Sequence, residues 1–154
     1  MPIQIPTMPE PSADALRQLE DWIAHRLPLS YFHFVCRHDG ARPEANRLIV
    51  GDNEISATCF IPVSEAPALA KEIDGFPDCV IPLAHDDCGN YFYVKPETGR
   101  VYFWDHEVEA SDDQVAEDVE AFIASLEPLD ASRVELEPAQ VKRVWVNPSF
   151  KPEF

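Results

Sequence analysis

Two short stretches of this chain carry the residue types needed for acid–base or metal chemistry. His85-Asp86-Asp87 and Asp105-His106-Glu107 each set an imidazole beside carboxylates. Imidazole nitrogens and carboxylate oxygens ligate zinc, and a His–carboxylate pair can move protons near neutral pH. A working centre would have to combine the two stretches, with His85, Asp105 and His106 at its heart. Neighbouring residues of a strand point to opposite faces, so three consecutive side chains do not converge easily on one ion. Asp86-Asp87-Cys88-Gly89-Asn90 also lacks the ligand spacing of a calcium loop. Asp86 and Asn90 suit a turn in which their side chains bond backbone groups. His106 reads as a packed histidine, and His25, His33 and His38 lie on or beside helices. There is no G-x-S-x-G elbow, phosphate loop or dinucleotide fingerprint. No catalytic residue, no metal and no cofactor are therefore expected.

Between these stretches lies a pattern suited to binding. Residues 91–94 and 101–104 alternate as two strands around a turn containing Pro96 and Gly99. Phe92, Val94, Val101 and Phe103 fall on one face. Tyr91, Tyr93, Tyr102 and Trp104 fall on the other. Acids cluster at both ends: Asp86 and Asp87 before, then Asp105, Glu107, Glu109, Asp112 and Asp113 after. Large rigid rings with charges at the rim have the make-up of a binding hot spot. The second aromatic face needs a cover, either a partner or the chain's own tail, with Trp145 suited to that task.

These residues require supporting elements. Ser12 is an N-cap, and Leu16, Leu19, Ile23 and Leu27 follow at helical spacing until Pro28. A second helix spans Leu29 to His38 and stops at Asp39-Gly40. Short strands are expected from Leu48 to Val63, with a turn at Gly51-Asp52-Asn53 and an extended run from Ile55 to Ile61. A short helix starts at Ser64, tolerating Pro67 in its first turn, and holds Leu69 and Ile73. A short apolar strand covers Cys79 to Leu83. Ser111-Asp112-Asp113-Gln114 reads as a capping box for a last helix, with Val115, Val119, Phe122, Ile123 and Leu126 as its apolar stripe. Prolines then recur at 128, 138, 148 and 152, and Val141 to Val146 suits an added strand.

The 154 residues suffice for one domain with a sizeable core. The expected division is an extended Pro-rich arm (1–11), an α+β domain (12–126) and a C-terminal extension (127–154). Twelve basic against 28 acidic residues leave a net charge of −16, which repels nucleic acids and anionic membranes and favours a basic protein partner. No apolar run approaches bilayer length, and MPIQIPTMPEPS lacks the features of a secretory signal. The four cysteines form no C-x-x-C pair. Cys36, Cys59 and Cys79 read as small buried residues and Cys88 as a surface one, which fits a reducing cytoplasm.

Three motifs resemble the SUKH superfamily. Leu27-Pro28-x-x-Tyr31-x-x-Phe34 ending in Asp39-Gly40 resembles its opening motif, with Ala41 where a second glycine is usual. Ile81-Pro82-x-Ala84-x-Asp86-x-x-Gly89-Asn90 is similar to its central motif. Gly99-x-Val101-Tyr102-Phe103-Trp104-Asp105-His106-Glu107 is similar to its "G-x-V-x-F-x-D-H-E" strand. The resemblance covers about Leu16 to Leu126. It implies a single α+β domain, an antiparallel sheet packed with helices, and no catalytic residues. Many bacterial members look like immunity proteins that neutralise a partner toxin, and others serve as cell-wall-assembly regulators.

Three functional readings follow. The first is a non-enzymatic immunity-type protein that blocks a toxin. A nuclease toxin fits, because an acidic surface imitates a phosphate backbone. Its partner-binding residues would be Asp86, Asp87, Tyr91, Tyr93, Trp104, Asp105, Glu107, Glu109, Asp112 and Asp113. The second is a regulatory interaction module. The third is a metal-dependent enzyme around His85, Asp105 and His106.

Overall fold

The computed structural model describes residues 5–108 and 112–128. The element order is α1 (Ala13–Ile23), α2 (Leu29–His38), β1 (Ala45–Val50), β2 (Asn53–Ser56), β3 (Cys59–Phe60), α3 (Ala66–Glu72), β4 (Ile81–His85), β5 (Tyr91–Val94), β6 (Val101–Trp104), β7 (Asp113–Ala116), α4 (Val119–Ser125) and β8 (Glu127–Pro128). A five-stranded antiparallel sheet runs β3-β4-β5-β6-β7. A three-stranded antiparallel sheet runs β2-β1-β8. This is a single α+β domain, as expected.

The central hairpin forms in the expected register, with Tyr91 opposite Trp104, Phe92 opposite Phe103, Tyr93 opposite Tyr102 and Val94 opposite Val101. The face bearing Phe92, Val94, Val101 and Phe103 enters the main core. There it meets Leu19, Tyr31, Phe34, Phe60 and Phe122. Pro82 occupies an interior strand, which its missing N–H ordinarily forbids. It sits where the β4–β5 register shifts, between Pro82 and Ala84, so the ladder is already interrupted there.

Helix α1 is capped by Ser12, whose hydroxyl accepts from Ala15 N at 3.1 Å. It ends four residues before Leu27. Ala24 turns left-handed (φ 54°), and the Glu20 carboxylate receives the Leu27 N–H instead. Helix α2 has the expected limits. The extended run from Ile55 to Ile61 divides, its first part in the smaller sheet and its second in the larger. Helix α3 starts at Ala66, two residues after Ser64. β4 begins at Ile81, because Cys79 is an exposed turn residue with φ 57°. Cys79 is therefore not a buried small residue, and Cys36 and Cys59 are half-buried.

The last helix differs most. Residues 113–116 are a strand, β7, on the outer edge of β6, and α4 is capped by Asp118, which accepts from Ala121 N at 2.7 Å. A helix from Ser111 would leave one edge of β6 without partners. Strand pairing satisfies those backbone groups, and Asp118 supplies an equally good cap further on. Val119, Phe122 and Leu126 are buried as the stripe requires. The arm lies on α2, where Met8 N donates to the Arg37 carbonyl at 2.7 Å. The expected strand at 141–146 and almost all of the C-terminal extension lie outside the described residues.

Candidate functional site

The polar residues Asp86, Asn90 and His106, from the central and strand motifs, are linked by hydrogen bonds. Asp86 is only 8% exposed. Its Oδ1 accepts from the backbone N–H groups of Cys88 and Asn90, both at 2.8 Å, and its Oδ2 accepts from Asn90 Nδ2 at 2.9 Å. That donation fixes the Asn90 amide orientation and leaves Oδ1 as an acceptor. Asn90 Oδ1 then accepts from the His106 backbone N–H at 3.1 Å and from its ring Nδ1–H at 2.7 Å. Gly89, at φ 88°, brings the turn against the same imidazole. The central and strand motifs are thus one hydrogen-bonded knot that closes the open end of the hairpin.

This knot corrects one expectation and supports another. Asp86 is not a free steering acid, because its oxygens are committed inside the turn, as Asx residues commonly are. The grouping of His85, Asp105 and His106 does not assemble. His85 Nδ1–H donates to the Asp86 carbonyl and His106 Nδ1–H to Asn90, while Asp105 Oδ1 accepts from Glu107 N at 2.9 Å. Among the described residues, no group of three or more His, Cys, Asp or Glu could hold a metal ion.

The opening motif is also structural. Tyr31 is fully buried, and desolvation, then the nearby Asp39, pushes its phenol up in pKa. Asp39 Oδ1 accepts from Val63 N at 2.8 Å, and burial raises its carboxyl despite that bond. Gly40 (φ 70°) lies so close to Pro62 that a Cβ would stand 2.9 Å from the ring.

The aromatic face requires a further correction. Tyr93 is 1% exposed and Trp104 6%. They pack with Phe76, Val80 and Ala70 into a second core on the back of the larger sheet. Phe76 meets Tyr91, Tyr93 and Trp104 edge-on, with ring centres 5.9, 5.7 and 5.3 Å away. The cover is therefore α3 and the segment after it. As folded, Tyr93 and Trp104 have almost no surface to offer a partner, and Tyr91 is half-buried. The residue that completes this cover, Phe76, carries no sequence signal of its role, since it stands alone between Gly75 and Pro77.

Asp112 is engaged as well. It accepts the Tyr93 hydroxyl at 2.7 Å and pairs with Lys95 at 3.1 Å, while Lys95 stands 4.1 Å over the Tyr102 ring. The Tyr93 hydroxyl, and after it Lys95, hold the Asp112 carboxyl below its ordinary pKa. Burial, then Asp112, pushes the Tyr93 phenol up.

Two of the remaining predicted acids, Asp87 and Asp105, share one cleft. Asp87, Glu107 and Asp113 are exposed, and Asp105 is half-buried. Asp87 and Asp105 line a cleft of about 380 Å³ with Glu54, Arg47 and Phe103. Glu107 follows Asp105 in the same turn, whereas Asp113 lies on β7 beside a different cleft formed with Ile49 and Gly51. Glu109 lies outside the described residues. Glu54 and Arg47 were missed because they come from the β1–β2 hairpin, more than thirty positions away. Arg47 is the cation of this cleft, and it already pairs with Glu54 at 3.5 Å.

No helix among the described residues is long and apolar enough to cross a membrane. Residues 10–125 match the family model described as the SMI1 / KNR4 family (SUKH-1). The chain is also similar to the SPbeta prophage-derived uncharacterized protein YokK of Bacillus subtilis (strain 168). The two are 26% identical over 151 residues, covering 78% of each chain.

Proposed function

Because this chain belongs to the SMI1 / KNR4 family (SUKH-1), we propose that it acts by binding rather than by catalysis, as an immunity-type protein that occupies the basic surface of a partner toxin. The observation that carries this reading is the clustering of carboxylates once the buried ones are set aside. Asp87, Asp105 and Glu54 share one cleft, Glu107 follows Asp105 in the same turn, and the cleft's one arginine is already paired. Asp113 would extend the acidic surface along β7. A predominantly acidic cleft on a protein of net charge −16 attracts a cationic partner and speeds encounter. A nucleic-acid-cleaving toxin is the favoured partner, since the site it presents to phosphates is itself basic. The aromatic residues enter this reading only as the platform. Tyr93 and Trp104 hold the sheet rigid beneath the acids.

The test is to identify a toxin-domain protein encoded by a neighbouring gene, co-express it with this chain, and measure binding of the purified pair at low and high salt. Rescue of growth, with affinity falling as salt rises, supports the proposal. The double variant Asp87→Lys/Glu107→Lys should lose at least about tenfold in affinity at low salt, a loss of about 1.4 kcal/mol. If the chain binds no toxin and fails to rescue growth, it is not an immunity protein. Capture of a cellular regulator instead would point to the interaction-module role.

A further inference from the structure

A second cavity lies on the helical side, between the arm, α2 and α4. It has a volume of about 450 Å³, within the ordinary range of small-molecule sites. It shares no lining residue with the acidic cleft. Its apolar lining comes from Ile5, Phe34 and Ile123, its polar lining from Ser30, His33, Arg37, His38 and Glu120. Arm and helix are fastened beside it by Met8 N to the Arg37 carbonyl and by His38 Nδ1–H to the Pro6 carbonyl at 2.9 Å. Leu29, one helical turn before His33, is 72% exposed, and Phe32 is 36% exposed, so apolar surface continues beyond the cavity.

The fixed charges of this lining balance, Arg37 against Glu120, in a molecule that is otherwise strongly acidic. Arg17, Arg47, Lys95 and Arg100 each have a carboxylate within salt-bridge distance, whereas Arg37, like Arg26, Arg42 and Lys71, has none among the described residues, and Arg37 is the one of these four that lines the cavity. An arginine without a carboxylate partner, two imidazoles and one glutamate surround an apolar floor in a chain with 28 acids. A guanidinium beside an apolar wall recognises a carboxylate attached to a hydrocarbon. The fork binds both oxygens, and the chain lies along the wall. Glu120 disfavours a ligand charge on the α4 side, so the carboxylate would sit on the α2 side.

We propose that this cavity binds an amphiphilic carboxylate, with its hydrocarbon along Ile5, Phe34 and Ile123 and its carboxylate on Arg37. The inference is independent of the toxin-binding reading, because neither site needs the other.

Sodium decanoate, below its micelle-forming concentration, is the probe, with decanol and decyltrimethylammonium as neutral and cationic controls. Calorimetry should give one saturable equivalent of decanoate per chain. Amide shifts should be confined to the arm, α2 and the α4 residues around Glu120 and Ile123. Arg37→Glu should weaken decanoate at least about tenfold, the scale of a lost charge-assisted contact, and Arg37→Lys should recover part of it. The Arg37 side chain is exposed, and its carbonyl bond to Met8 survives substitution. An unchanged melting temperature will show that the variants fold. Equal affinity for decanol, unchanged affinity in Arg37→Glu, or shifts centred on the second core near Phe76 would each overturn the proposal.

Discussion

The Tyr93 hydroxyl donates to Asp112 at 2.7 Å, so a ring and an acid that sequence reasoning assigned to a partner are bound to each other. Lys95 completes the contact at 3.1 Å. The bond fastens the segment entering β7 to the central hairpin.

That contact has a pH signature. The Asp112 pKa is depressed by folding, so its stabilising contribution is complete above the unfolded value of 3.8 and is lost as pH falls through the lower folded value. Asp112→Ala should therefore be less stable than the parent near neutral pH. The gap should close as pH drops below 3.8. Urea midpoints of the two proteins across that range provide the check. Asp39, whose carboxyl is raised by burial, pushes in the opposite direction. It is common to both proteins and cancels in the difference.

Tyr93→Ala and Trp104→Ala should each cost about 3–5 kcal/mol, because each empties a packed aromatic site. Tyr93→Phe keeps the ring and loses only the bond to Asp112, for about 1 kcal/mol. Thermal denaturation read with binding separates core from contact. The alanine variants should lose partner affinity only in proportion to the folded fraction they lose. A well-folded Trp104→Ala with abolished binding would restore the ring to an anchoring role.

Removing the Asn90 side chain should loosen the knot that joins the two motif turns. Asn90→Ala takes a donor from Asp86 and an acceptor from His106, at a cost of about 1–3 kcal/mol. The imidazole offers a second readout. Asn90 Oδ1 requires the proton on His106 Nδ1, so imidazole nitrogen shifts should move toward the Nε2–H tautomer in the variant. Unchanged shifts would mean that the ring is held by something else.

Two glycines should respond unequally to alanine. Gly89→Ala carries mainly the cost of the left-handed backbone, about 1–2 kcal/mol, since the new Cβ would meet the His106 ring at an ordinary 3.5 Å. Gly40→Ala adds a 2.9 Å approach to the Pro62 ring, which is held by its own backbone, and should cost more. Chemical denaturation of the pair tests the order. Equal losses would show that Pro62 yields.

Much of this protein was legible in its sequence because short-range rules suffice where neighbours along the chain interact. Ser12 capped α1, α2 took its expected limits, and two-residue alternation placed Phe92 with Phe103 and Tyr93 with Tyr102. The turn at Asp86 and Asn90 is likewise a local hydrogen-bond arrangement, and the motifs that carry the family resemblance are mostly residues of this kind. Local rules failed where two local solutions were available. Ser111 and Asp118 both offer a helix cap, and the unpaired edge of β6 made 113–116 a strand. Nor can any local pattern report what covers a sheet face. Alternation sorted the rings of the hairpin onto their side, but burial depends on which distant segment arrives there. Phe76 and α3 arrive, so Tyr93 and Trp104 became core and the acids around Asp87 and Asp105 were left as the surface. Charge and periodicity are sums along a chain, whereas exposure belongs to elements packed in space.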